Sequence, residues 1–257
     1  MDRRTFVLLG GAASAALWRP IPFPAARPRP LRAGGLRFDL DERRRWSLSY
    51  HGGTVPVPLL REATLGVQVG DRFVTLADLE DISVANRRPP GGESLFVRGR
   101  APGNAAAAGN GSGENRGGVW IEVEFTAWDA GPGAQGAIVA SVYPDRLLAT
   151  IRGMRFFSVP EAQVLPGAGA LLALVNGSHS SSPCRVAVVG SATDSSFGSL
   201  GLTRAGGDGG LALAFSARDP GVAQVDLGDG RLAAVSDWVP ARPVRPEGDA
   251  ATLRLAY

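Results

Sequence analysis

Cysteine and histidine are nearly missing from this sequence. A single cysteine, Cys184, admits no internal disulfide, and two isolated histidines, His51 and His179, provide no frame of three or four ligands for a zinc ion. No metal site is expected. Also missing are the Walker loop, the G-x-G-x-x-G fingerprint behind a strand and the G-x-S-x-G elbow; the nearest look-alike, "SFGSLG", has the wrong spacing. No cofactor is expected. Helical signals are just as scarce, because no capping residue is followed by a sustained apolar stripe of period 3.6. The longest apolar stretch, "FVLLGGAASAAL", is too short and too rich in Gly and Ala to span a membrane.

An excess of positive charge is missing from the body of the chain. Residues 1–45 carry ten arginines against four acids, a balance of +6, while residues 46–257 carry seventeen arginines against twenty acids, a balance of −3. A nucleic-acid binder holds its basic excess on the folded surface that meets phosphates, so nucleic acid is excluded as a partner. The charge at the start has its own explanation. Arg3 and Arg4, followed by the apolar run that begins at Phe6, have the n-region and h-region of an export signal of the twin-arginine type. The segment "RPIPFPAARPRPLRAGG" then reads as an extended Pro-rich tether. Residues 1–34 are therefore assigned to export signal and tether, and the chain is expected in the periplasm or outside the cell.

What is present is turn chemistry and alternation. Thirty-five glycines, nineteen prolines and 44% hydrophobic residues describe a chain with a real core and many tight turns. In "GVWIEVEFTAW", Ile121, Val123, Phe125 and Ala127 alternate with Glu122, Glu124, Thr126 and Trp128, the period-two pattern of a strand with one dry and one wet face. Similar runs such as "WSLSY", "LGVQV", "AIVASVY", "LALAFS" and "ATLRLAY" recur between turn signals such as "HGG", "GPG" and "GDG". About a dozen strands suit two large packed sheets better than one small one. The fold class expected is all-β, a large antiparallel two-sheet sandwich over residues 35–257, with the Ala-rich piece "GNAAAAGNGSGENRGG" as a loop between strands.

Chemistry-bearing residues gather in "LVNGSHSSSPC", Leu174 to Cys184. A His beside serines is no triad, since nucleophile, base and orienting acid must converge from separate elements. Cys184, just before an apolar run, reads as a small buried thiol. Glu122 and Glu124 with Asp129 beyond them could face a groove as a glycosidase pair, or be the solvated face of a strand. Trp46, Trp128 and Trp238 are taken as exposed tryptophans.

The order of the segments "WSLSYHGGTVPVPLLREATLGVQVGDRFVTLADL", "VWIEVEFTAW", "FFSVPEAQVLPGAGALLALVNGSHSSS" and "GSLGLTRAGGDGGLALAFSARDPGVAQVDLGDGRLAAVSDWV" resembles the amino-terminal β-supersandwich domain of family 36 glycoside hydrolases, the α-galactosidase and raffinose-synthase group. The resemblance covers most of residues 36–257. In that family a strand leads into Asn-Gly, an aromatic, Gln, Ser, Trp and Ser; Asn176 and Gly177 match its start, while Ser178 and Ser181 stand in place of large aromatics and His179 in place of the Gln. Asn176 is thus either a turn residue or a sugar contact. With Gly177, His179 and Trp238 it forms the set of carbohydrate-contact candidates.

The family's catalytic aspartates sit on a (β/α)8 barrel that follows the sandwich, and a barrel takes roughly 250 residues. The resemblance therefore implies a chain with no catalytic residue of its own, whose partners are a glycosidase barrel or an α-galactoside, with a homo-oligomer open. Three functions follow: an ancillary sandwich domain of an exported α-galactosidase-like glycosidase, a free-standing exported carbohydrate-binding or interaction protein, and an autonomous glycosidase using Glu122, Glu124 or Asp129.

Overall fold

A computed structural model describes residues 29–89, 92–102, 119–129, 134–145, 150–176, 185–189, 194–216, 222–228 and 230–257. The stretch read as an export signal, the Ala-rich stretch 103–118 and the stretch from Gly177 to Cys184 lie outside these. Along the chain run β1 (Leu31–Ala33), β2 (Leu36–Leu40), β3 (Trp46–Tyr50), β4 (Val57–Ala63), β5 (Gly66–Val69), β6 (Arg72–Thr75) and β7 (Glu80–Arg87). They are followed by β8 (Gly92–Arg100), β9 (Val119–Asp129), β10 (Ala134–Pro144), β11 (Thr150–Pro160), β12 (Leu171–Val175) and β13 (Arg185–Val188). The last are β14 (Asp194–Phe197), β15 (Ser199–Arg204), β16 (Gly210–Ser216), β17 (Val222–Gly228), β18 (Arg231–Pro243) and β19 (Asp249–Ala256).

These strands build three antiparallel sheets. A nine-stranded sheet has the order β13-β12-β15-β16-β19-β10-β9-β8-β7; opposite it lie a six-stranded sheet, β14-β17-β18-β11-β5-β6, and a four-stranded one, β1-β2-β3-β4. The chain is an all-β antiparallel sandwich, as its alternation and turn chemistry required. One layer is divided in two, a division the sequence pattern did not reveal. The first strand also begins inside the stretch assigned to the tether. Leu31 is fully buried, and Gly34 and Gly35, at φ 57° and 78°, make the tight turn that pairs β1 with β2.

The alternation of β9 is realised as read. Val119, Ile121, Val123, Phe125 and Ala127 are buried, and the intervening side chains from Trp120 to Trp128 are half-buried on the outer face. All three sheets meet at one aromatic cluster. Trp46 of β3 lies 6.1 Å from Phe38 of β2, 5.8 Å from Phe125 of β9 and 6.2 Å from Phe157 of β11, ring centre to ring centre. Its indole N–H donates to the Phe156 carbonyl at 2.9 Å. The reading of Trp46 as an exposed tryptophan is therefore corrected, since it is 1% exposed. Sequence shows that β3 alternates; which side of it meets the other sheets depends on their packing.

A bulge in β11 explains how two consecutive residues, Phe156 and Phe157, are both buried. The register with β18 slips between Arg155 and Phe157, so the normal alternation is broken and Phe156 turns inward to pack on Phe215 of β16, at 5.9 Å.

The turn into β19 is closed by a buried carboxylate. Asp249, whose side chain is fully buried, accepts from the Arg245 N–H at 3.0 Å and from its Nε at 2.8 Å. Asp249→Asn keeps the shape and removes the charge, while the partly exposed Arg245 can return to water. The expected cost is about 2 kcal/mol, or roughly 4–8 °C of melting temperature, checked by thermal melting followed by circular dichroism.

Candidate functional site

The four carbohydrate-contact candidates are distributed over two sheets. Asn176 follows β12 in the nine-stranded sheet, and Trp238 lies on β18 in the six-stranded sheet. Gly177 and His179 fall outside the described residues, as do Arg3, Arg4 and Cys184. The Asn176 N–H donates to the Ser196 hydroxyl at 2.8 Å, and its side-chain amide donates to the Ser199 hydroxyl. Ser196, fully buried, donates in turn to the Ser199 carbonyl at 2.5 Å. The amide of Asn176 thus ties the end of β12 to the turn between β14 and β15.

Glu122 and Glu124 lie on the outer face of the nine-stranded sheet, in an ion-pair and aromatic lattice. Arg98, opposite Glu122 in the register, approaches its carboxylate at 3.3 Å and lies 4.6 Å over the Trp120 ring, while Arg87 lies 3.7 Å over Phe96. Burial pushes the Glu122 carboxyl above its ordinary value, Arg98 and Arg87 pull it back, and Glu124 adds to the rise. Glu122 is engaged with a neighbour on the same face, which is how an open antiparallel face holds its charge.

A second arrangement, at the end of the sandwich, has no signal in the sequence beyond two Gly-rich turns. The loops 166–169 and 205–209 border an open depression of about 500 Å³ with Val57, Pro58 and Tyr257 on its other side. Tyr257 stacks on Tyr50 with ring centres 4.5 Å apart, and a side chain at Gly209 would strike its hydroxyl. Arg204 lines the depression but offers nothing to a ligand. Its five N–H donors go to the carbonyls of Glu161, Val164, Leu165 and Gly169 and to the Glu161 carboxylate. It fastens the loop between β11 and β12 to β15.

A third cluster was also missed by sequence reasoning, although Asp237 stands beside the candidate Trp238 in "VSDWV". The register places Asp237 of β18 opposite Gly153 of β11, and Arg155 opposite Val235. Asp237 is half-buried. Burial, first, and the Asp226 charge, second, push its carboxyl above the ordinary value of 3.8, against the pull of Arg155. Below pH 3.8 the group is protonated in folded and unfolded chains alike and costs nothing; the cost appears as pH rises through the raised value and is complete above it. Asp237→Asn is therefore expected to melt at a higher temperature than the parent at pH 7 and to lose that advantage as the pH falls to about 3. Melting curves over a pH series check this.

Among the described residues, no group of three His, Cys, Asp or Glu side chains is placed to hold a metal ion, and no helix is long and apolar enough to cross a membrane.

No family model matches the sequence, and no curated protein does. Solved structures do match. The α-N-acetylgalactosaminidase NagBb from Bifidobacterium bifidum, in its Gal-NHAc-DNJ complex, is similar over 88% of this chain and 36% of its own, with a TM-score of 0.57 at 10% identity. Its GalNAc complex gives a TM-score of 0.55 at 12% identity over 88% and 35%, and its ligand-free form 0.52 at 9% over 89% and 36%. What the likeness shows is the fold. The chain shares the architecture of a β-rich part of a glycosidase and spans little more than a third of that enzyme's length.

Proposed function

We propose that this chain is the non-catalytic ancillary sandwich of an exported α-galactosidase-like glycosidase and works beside a (β/α)8 barrel that carries the chemistry. The observation that carries this reading is the pairing of coverages: nearly all of this chain corresponds to about a third of a glycosidase. The segment order supports a family 36 reading, and the sugar proposed is α-galactose or, after the name of the solved neighbour, α-linked N-acetylgalactosamine. The role of such a sandwich is to support the barrel and to shape the rim of its pocket, with Asn176 tying the end of β12 to Ser196 and Ser199.

A second reading is a free-standing exported carbohydrate-binding or interaction protein. The half-buried Trp120 and Trp128 on one outer face favour it, because flat aromatic surface with a polar rim suits sugar rings.

The purified full-length chain is expected to release no nitrophenol from nitrophenyl α-galactoside or nitrophenyl α-N-acetylgalactosaminide. Affinity capture from its own cells, followed by mass spectrometry, is expected to return a glycosidase barrel. Hydrolysis by the pure chain that disappears in Glu124→Gln would overturn the non-catalytic reading. Capture of no glycosidase, together with sugar-dependent quenching of tryptophan fluorescence in the pure chain, would favour the second reading. Cell fractionation tests export.

A further inference from the structure

We infer that the chain forms a two-fold dimer by stacking the outer face of its nine-stranded sheet, at the β13 end, on the same face of a second copy. This goes beyond the ancillary role and does not depend on it, since both halves of the interface belong to this chain.

Three of the four large hydrophobic side chains that are exposed among the described residues lie in one patch there. Leu174 is 51% exposed, Val186 67% and Val188 46%. The register pairs Leu174 with Val186 and Leu172 with Val188, and the alternation of β12, whose Leu171, Ala173 and Val175 are buried, turns all four to the outer face. They form an apolar ridge at the end of the sheet. On the next two strands the side chains shrink. Leu174 stands opposite Gly201 of β15 and Gly201 opposite Ala212 of β16, while Leu172 stands opposite Thr203 and Thr203 opposite Gly210. Among the described positions of these four strands, none on this face carries a charge.

Gly201 is the observation that points to a second surface. It sits inside β15 without a positive φ, and a Cβ there would meet nothing nearer than the Leu174 Cβ at 3.5 Å, an ordinary contact. The fold has no need of a glycine at that position, and glycine weakens a strand. What a bare position in mid-strand permits is the close approach of another surface.

The shape of the patch fits that surface to a second copy. A two-fold axis along the strands, between β12 and β15, carries β12 onto β15 and β13 onto β16. Leu174 of each copy then lies on Gly201 of the partner subunit, and Val186 on Ala212 of the partner subunit. Ridge meets floor twice by symmetry alone, with the sheets about 10 Å apart, no like charges brought together and the assembly closed at two. The face measures about 19 by 17 Å, four strands by five residues. Two such faces bury less than the ~1,600 Å² of a standard interface, which fits a reversible dimer rather than a permanent one.

The test is sedimentation velocity of the purified full-length chain from about 5 to about 500 µM, beside Val186→Lys and Gly201→Val, with a melting curve for each. The parent is expected to pass from monomer to dimer with a dissociation constant of tens of micromolar. Val186→Lys puts a charge on the ridge and Gly201→Val fills the floor, and each is expected to raise that constant by about tenfold or more. Neither is expected to lower Tm, because Val186 is exposed and Gly201 has room for a side chain. Loss of the dimer at unchanged Tm is a result that a purely structural glycine would not give. A chain that stays monomeric throughout, a dimer that either folded variant leaves unchanged, or assembly beyond two would overturn the inference. If the parent is monomeric and Val186→Lys also fails to capture a glycosidase barrel, the face belongs to that partner instead. The parent series decides the matter even if a variant fails to fold.

Discussion

Trp46→Ala is expected to cost about 4–5 kcal/mol, the largest single loss available in this fold. The indole is 1% exposed where the three sheets meet, so its removal opens a cavity that Phe38, Phe125 and Phe157 cannot fill without moving their strands. It also leaves the buried Phe156 carbonyl without its donor. Against a total stability of about 5–15 kcal/mol, such a loss leaves little margin at growth temperature. Trp46→Phe separates the two contributions: it keeps most of the ring and loses the N–H, and is expected to cost about 1–2 kcal/mol for the bond and the smaller ring. Urea unfolding of the three proteins measures the series. A loss under about 2 kcal/mol in Trp46→Ala would mean that the sheets do not depend on this junction.

Arg204→Ala is the second large effect, expected at about 3–4 kcal/mol. The side chain is 13% exposed and every N–H is in use, four of its five contacts being main-chain carbonyls of the segment from Glu161 to Gly169. That segment joins β11 to β12 and has little ladder of its own beyond the bridge between Leu60 and Val164. Without the guanidinium its carbonyls must find water or stay unpaired, and the 166–169 wall of the depression loosens. Arg204→Lys does not rescue it, since a lysine carries three donors on one nitrogen where five in a planar fork are used. Hydrogen exchange across residues 161–170 is expected to accelerate in both variants while exchange in β9 and β10 changes far less. Unchanged exchange there would show that the loop is held by other means.

Much of the fold was legible in the residues themselves. The strand β9 follows from the strict alternation of Ile121, Val123 and Phe125 with Glu122, Glu124 and Thr126, because a pleated strand has a period of two whatever surrounds it. The first hairpin was not legible in the same way: "RPIPFPAARPRPLRAGG" reads as an extended tether, although Gly34 and Gly35, both at positive φ, make the turn that pairs β1 with β2. Strands with weaker texture, such as β7 and β14, were passed over. Their edge positions, at the ends of the nine- and six-stranded sheets, demand no continuous apolar face.

The candidate site was less legible. Asn176 was read as either a turn residue or a sugar contact, and its bonds to Ser196 and Ser199 join segments some twenty residues apart, a distance that spacing alone does not foresee. The neighbourhood of Asp237, Arg155 and Phe73 had no signal at all, since they come from three strands distant in sequence that are brought side by side only by the register.

The sequence by itself determined that the chain is all-β, where its sharper turns fall and which side of β9 is dry, because those depend on the stereochemistry of neighbouring residues. Only the tertiary structure decided that one layer divides into two sheets, that Trp46 is their common core, that Arg204 is a fastening and that Asp237 lies opposite Gly153. Those outcomes depend on which strands pair and at what register, and pairing is settled by contacts between segments that local pattern does not encode.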